Sequence, residues 1–264
     1  NPTSGRLYAE ASGNIYIVEV SSALRVLAAE SSAGSVQLTV CESSAAGENL
    51  NLLASGSKQV AEGSAVTVTK GHVTAATTVL LQIGDNITTD ANSQILAGQT
   101  INIYGDYNNL DTGTGTTITL RGEITANYPS GGTTYWTYIW GNADADTINF
   151  GDTAGSYIKL GSKTRAYGSN DLSSAETDGS DSFYVYYLQT MAVASGHTLT
   201  LDGQADTDTY TIYTTGSQVT YRHYMINILD TGAADSGTDT ATVYGTDASN
   251  DIFLLRKVTT IATE

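Results

Sequence analysis

The stretch 141–152, GNADADTINFGD, brings Asp144, Asp146 and Asp152 close together and then returns to alternating apolar residues. Carboxylates at such spacing repel one another at neutral pH, so the group is either well solvated or holds a cation. The phrase returns at 203–213 as GQADTDTYTIY, with Gly, two residues, Asp, one residue, Asp, Thr and then a strand pattern. Looser copies are TDGSDSFYVY at 177–186, DSGTDTATVYG at 235–245 and GTDASNDIFLL at 245–255. In each copy an Asp stands just ahead of the strand: Asp146, Asp208, Asp181, Asp239 and Asp251. Ca2+ takes oxygen ligands from carboxylates and backbone carbonyls, and a Gly-rich turn ending in Asp supplies both. Turns stacked on one another would pool those ligands. Calcium is therefore expected near Asp144, Asp146 and Asp152 and near Asp206 and Asp208, with Asp181, Asp239, Asp247 and Asp251 as weaker positions. The competing reading is a set of solvated turns whose Asp side chains cap the backbone as Asx-turns.

Other chemistry is thin. The sequence has no nucleophile elbow, HExxH, P-loop or dinucleotide fingerprint. DTG occurs at 111–113 and 230–232, but only the first copy, LDTGTG, approaches the aspartic-protease pattern. His72, His197 and His223 are scattered without metal spacing and read as surface residues. Cys41, the only cysteine, reads as a small half-buried strand residue, and no disulfide framework is possible. Trp136, Tyr138 and Trp140 alternate, so they share one strand face. They serve either as core or cap, or as a platform for sugar rings. Arg121, Arg165 and Arg222 are isolated cations that a carbohydrate-active site could use. Asn86-Ile87-Thr88 matches the glycosylation sequon.

The chain of 264 residues carries 11 basic and 27 acidic side chains, a net charge of -16. That balance excludes the basic footprint of a nucleic-acid binder and disfavours anionic membrane surfaces. No apolar run is long enough for a membrane span. Residues 1–10, NPTSGRLYAE, lack the basic and apolar regions of a signal peptide, and the abrupt start favours a segment of something longer.

The elements that must position these groups are short. Runs such as IYIVEV, SVQLTV, TVLLQI, TINIY, TITL, TYIW, TINF, FYVYY, TLTL and TYTIY alternate with period two. They are rich in Thr, Val, Ile and Tyr and bounded by Gly, Asn or Asp. Hairpin dipeptides are scarce, which favours a parallel solenoid over a sandwich or barrel. SSALRVLAAESSAG at 21–34 is ambiguous between a helix and a further strand. The sequence predicts an all-β chain, a parallel β-helix forming a single elongated domain. Acid-poor coils occupy 1–130 and coils with Asp-rich turns occupy 131–264, a break in character at YPSGGTT, 128–134.

GNADADTINFGD is similar to the calcium-binding nonapeptide of RTX-type repeats, over parts of 141–255. GNIYIVEV, GSVQLTV and ITTDANSQILAGQTINIYGDY resemble coils of filamentous-haemagglutinin-like β-helices. These resemblances imply a segment of a giant secreted bacterial adhesin or surface protein, extracellular or at the cell surface. Its function would be structural and adhesive, without enzyme activity. Its expected partners are Ca2+, copies of itself or neighbouring modules joined end to end, and an extracellular polysaccharide. The alternative is a carbohydrate-binding or carbohydrate-active β-helix of the lyase or glycosidase kind.

Overall fold

The computed structural model describes residues 5–59, 65–130, 134–169, 178–189, 198–214, 225–231 and 237–245. Among these residues there are strands and turns but no helix. One sheet has eight parallel strands in chain order: Ile15–Glu19, Val36–Val40, Val79–Ile83, Ile101–Tyr104, Thr137–Asn142, Thr164–Ser169, Leu199–Asp202 and Ile226–Leu229. The other sheet has fourteen strands and divides into two wings at Leu24–Ser31, with Leu7–Ala11 paired to that strand off the main path. Its first wing runs through Leu50–Leu52, Ile87–Thr89, Thr117–Leu120, Thr147–Phe150, Ser182–Val185, Thr209–Tyr213 and Thr240–Tyr244. Its second wing runs through His72–Ala75, Gln94–Ala97, Gly122–Thr125, Ile158–Leu160 and Leu188–Gln189. One antiparallel pair, Gly56–Gln59 with Ala65–Val68, is set into the turn between Leu50–Leu52 and His72–Ala75.

The chain visits these surfaces in rotation. From Val79–Ile83 it passes to Ile87–Thr89 on the first wing and Gln94–Ala97 on the second. It then returns to Ile101–Tyr104, hydrogen-bonded beside Val79–Ile83. All-parallel pairing on this scale is compatible with a β-helix or solenoid-like fold. The expected all-β, parallel architecture is therefore present. The two stretches separated at the sequence level are joined by continuous pairing, Ile101–Tyr104 with Thr137–Asn142 and Thr117–Leu120 with Thr147–Phe150.

Alternation in the sequence becomes stacking in space. Leu38, Leu81, Ile103, Ile139, Ala166 and Leu201 are in register on the eight-stranded sheet. Leu50, Ile87, Ile118, Ile148, Phe183 and Tyr210 do the same on the first wing, and Val73, Ile95, Ile124 and Leu160 on the second. All of these belong to one buried apolar cluster, whose burial is the main favourable term in folding. Parallel strands usually read as continuous apolar runs because both faces are covered. Here the outer face meets solvent, so polar residues fill alternate positions and stack as well. Gln37 Nε2 donates to Gln82 Oε1 at 3.0 Å, and Asn149 Nδ2 to Thr119 Oγ1 at 3.2 Å.

The ambiguous stretch 21–34 is a strand, Leu24–Ser31. Its first half pairs with Leu50–Leu52 and its second half with His72–Ala75. The strand turns a corner between the wings, so Val26, Leu27, Ala28 and Ala29 are all buried in succession. That run of buried residues breaks the two-residue period and produced the helical spacing seen in the sequence. No helix of the described residues is long and apolar enough to cross a membrane.

Candidate functional site

Among the described residues, the Asp positions ahead of the strands, Asp146, Asp181, Asp208 and Asp239, share one place in the fold: the corner where the chain leaves the eight-stranded sheet and enters the first wing. In register order, Glu48, Asp85, Thr116, Asp146, Asp181, Asp208 and Asp239 each stand two residues before the paired positions Leu50, Ile87, Ile118, Ile148, Phe183, Tyr210 and Ala241. The carboxylates are tied from turn to turn through the backbone. Thr116 N donates to Asp146 Oδ1 at 2.6 Å, Asp146 N to Asp181 Oδ1 at 2.7 Å, Asp181 N to Asp208 Oδ1 at 2.8 Å and Asp208 N to Asp239 Oδ1 at 3.0 Å. Each Asp thus caps an amide that the strand ladders leave unused.

The second oxygens are different. Asp146, Asp181 and Asp208 are 2%, 1% and 0% exposed, and the Oδ2 atom of each is buried without a hydrogen-bond partner. Each Oδ2 lies against a glycine of the preceding strand end: Asp146 over Gly141, Asp181 over Gly168 and Asp208 over Gly203. Burial pushes the Asp181 carboxyl up to about 10, with the charges of Asp146, Asp178 and Asp208 adding to the effect. Burial and the charge of Asp239 bring Asp208 up to about 7 in spite of the Asp181 amide, and Asp146 rises well above the usual carboxylate range.

The repeated phrase also repeats a turn. Asn142 and Asp144 in the first copy, and Gln204 and Asp206 in the second, all adopt positive φ. Asp144 is half-buried and accepts from Gly113 N at 2.8 Å. Asp206 is exposed. Asp152 lies past the far end of Thr147–Phe150, where it pairs with Arg121 at 3.1 Å and caps Ser156 N at 2.8 Å. It therefore belongs to a different corner from Asp146. Asp239 is exposed at the end of the described column, while Asp247 and Asp251 lie outside the described residues. His197 and Arg222 do as well, and so does His223, whereas His72 sits 3.4 Å from Glu30.

A tighter group of carboxylates lies earlier on the same corner, where no site was expected. One carboxylate oxygen from each of Glu42, Asp85 and Asp111 falls within 4.8 Å of the others. Asp106, on the next turn, is 2% exposed. Burial first, and then the charges of Glu42, Asp111 and Asp144, push Asp106 up to about 8. Burial and the charges of Asp111 and Asp85 likewise bring Glu42 up to about 7. The sequence held a signal for these residues: IGD at 83–85 and YGD at 104–106 place an Asp directly after the glycine that ends a strand, as GNAD does more loosely.

The alternating rings form a ladder on the outside of the eight-stranded sheet, neither core nor cap. Tyr104 and Trp140 stack with centroids 4.4 Å apart and planes 4° apart, and Trp140 continues to Tyr167 at 5.8 Å. At 4.4 Å Tyr104 and Trp140 cover each other's facing sides, so those two faces are closed to a sugar. Tyr186, Tyr213 and Tyr244 form a second ladder on the first wing. The Trp140→Ala variant should lose about 2–3 kcal/mol of stability, from three ring contacts and half-buried apolar area, in denaturant unfolding.

A shallow cleft of about 100 Å³ on the second wing is lined by Lys70, Ser93, Glu123, Tyr157 and Lys159 among others. Burial alone would raise the Glu123 carboxyl, but hydrogen bonds from Lys159 and Gln94 hold it below the usual range. Glycoside hydrolysis uses two carboxyl groups, and among the described residues lining this cleft Glu123 supplies one.

No family model matches the chain, and no curated protein or solved structure is detectably similar to it.

Proposed function

We propose that the chain is a three-faced parallel β-solenoid, a single elongated structural and adhesive module of a secreted or cell-surface bacterial protein. The observation that carries this reading is the rotation of the chain over three strand surfaces, each return adding one rung to apolar, amide and aromatic ladders. Such side-chain ladders reward length and regularity, which a spacer needs and a catalyst does not. The module has no enzyme activity in this reading, and the cleft around Glu123 is a fold in the surface. Its partners are Ca2+, an extracellular polysaccharide and further copies or neighbouring modules. Among the described residues, Ile15–Glu19 is an end strand of the eight-stranded sheet, with Tyr16 at 65% and Val18 at 57% exposure beside a backbone edge of the kind that recruits another strand. Calcium relieves the charge of the acidic corner and so stabilises the rod.

Small-angle scattering and light scattering over a concentration series, with millimolar Ca2+ and with EGTA, test the proposal. The expected result is an elongated particle whose mass grows with concentration. A compact, monodisperse monomer under both conditions overturns it. Release of reducing or unsaturated ends from polysaccharides would instead favour the carbohydrate-active alternative. Near pH 8, Ca2+ is expected to raise the melting temperature, because an ion bound only by the folded form adds about 2.7 kcal/mol at a hundredfold excess over Kd.

A further inference from the structure

We propose that Glu42, Asp85, Asp106 and Asp111 form a divalent-cation site, suited to Ca2+, that clamps three successive turns of the acidic corner. The inference rests on the calcium reading above but places an ion at residues outside the repeated Asp phrases.

Three observations carry it. First, Glu42, Asp85 and Asp111 come from three separate passages of the chain, yet their oxygens gather within 4.8 Å. Without a shared positive partner, that spacing is unfavourable for three like charges. Second, two of the carboxylates are held from behind. Ser43 N donates to Glu42 Oε1 at 3.2 Å, and the amides of Gly47 and Glu48 donate to Asp85 Oδ2, the latter at 2.6 Å. Glu42 Oε2 is left buried without a partner, in a residue only 7% exposed. Third, Asp106 is nine-tenths buried and more, and neither of its oxygens makes a hydrogen bond of ordinary geometry, although the Ala143 amide partly offsets its charge. Asn109 Oδ1, in the loop between Asp106 and Asp111, is also buried without a partner.

The chemistry of this donor set selects the ion. All the groups are hard oxygens, with neither thiolate nor imidazole among them, which suits Ca2+ or Mg2+ over zinc or copper. Carboxylates on three turns and a loop form an irregular shell. Ca2+ accepts six to eight ligands in flexible geometry, whereas Mg2+ demands a tight octahedron. The ion would tie the segment 42–48 and the turn at Asp85 to the loop 105–116, neutralising charge where the corner is densest.

The test is isothermal titration of the metal-free full chain with CaCl2. The wild-type chain is expected to bind Ca2+ in the submillimolar to millimolar range of extracellular modules. Asp111 is half-exposed and, among the described residues, accepts no amide from another turn, so Asp111→Asn is expected to fold normally and to weaken that binding at least about tenfold. Asp85→Asn with Asp111→Asn abolishes it, with folding checked by circular dichroism. The proposal is overturned if the wild-type chain takes no Ca2+ up to roughly 10 mM, or if Asp111→Asn binds like the parent. Should binding survive Asp111→Asn but vanish in Asp146→Asn with Asp208→Asn, the ion lies on the Asp column. The calcium reading then stands and this site falls.

Discussion

In EGTA, the protein is expected to melt at a higher temperature near pH 5 than near pH 8, the reverse of ordinary acid sensitivity. Asp181, pushed up to about 10, Asp106, up to about 8, and Glu42 and Asp208, up to about 7, all hold their protons more tightly when folded than unfolded. Unfolded carboxyls titrate at about 3.9–4.3. Between that range and the folded values the unfolded chain binds fewer protons, so stability falls as pH rises. The stabilisation from these groups is fully present below about pH 4. It is lost progressively as the pH climbs through about 7, where Asp208 and Glu42 ionise. Glu123 and Asp152 act oppositely. Burial would raise them, but hydrogen bonds from Lys159 and Gln94, and from Ser156 and Arg121, hold them low. Their contribution disappears only below about pH 4, outside the window compared here.

Several interacting carboxyls make the effect on the order of a few kcal/mol, which corresponds to roughly 5–10 °C for a chain of this size. Asp181→Asn separates the column from the rest of the molecule. The amide oxygen still accepts from Asp146 N, while the folded chain no longer has to hold a proton on a buried carboxyl that ionises freely when unfolded. This variant should melt above the parent near pH 8 and show a flatter pH profile. A parent more stable near pH 8 than near pH 5, together with an Asp181→Asn variant that melts lower at both, would mean that the buried carboxylates are solvated or otherwise neutralised.

The strands and the direction of their side chains were legible because one rule governs them: alternate residues face a single core. Ile101, Ile103, Ile139 and Ile148 could be assigned inward from the pattern alone. The corner was only half legible. The echo between GNADAD and GQADTD correctly marked one turn used twice, with Asn142 and Gln204, and Asp144 and Asp206, in matching positive-φ conformations. The echo set Asp146 and Asp208, just ahead of the strand, apart from Asp144 and Asp206, but nothing in it showed that the first pair is buried and the second is not, because burial comes from the stacking of turns. Asp152 joined the group by sequence proximity, yet a four-residue strand carries it to the opposite corner. Glu42, Asp85 and Asp111 were missed for the converse reason: they are distant in sequence and meet only through the register of adjacent turns. The aromatic run was read correctly as one face, but stacking across strands, which decides whether the ring faces are free, depends on neighbours at Tyr104 and Tyr167.

Replacing Gly203 with alanine should be among the most damaging single changes in the protein. Gly203 has no unusual φ, so alanine is conformationally acceptable and only space is at issue. A Cβ there would stand 1.8 Å from Asp208 Oδ2 and 2.2 Å from its Cγ, with the Tyr210 hydroxyl at 2.6 Å. None of these can retreat freely. Asp208 is pinned by the Asp181 amide, and Tyr210 accepts from Gly203 N at 2.8 Å while donating to Leu229 O at 3.1 Å. Overpacking without room to relax costs more than about 3 kcal/mol, so the melting temperature should fall by roughly 10 °C. Gly13→Ala, where nothing lies within 4 Å, serves as the neutral control. Because the principal clash is with one side chain, a double-mutant cycle identifies it. Asp208→Ala alone leaves the Asp181 amide without its acceptor and destabilises by about 1 kcal/mol. Combined with Gly203→Ala it should recover at least about 1 kcal/mol relative to the sum of the single changes, the signature of direct contact. Additivity within about 0.5 kcal/mol, or a Gly203→Ala variant as benign as Gly13→Ala, would show that the carboxyl does not rest on the glycine and that the column is packed differently.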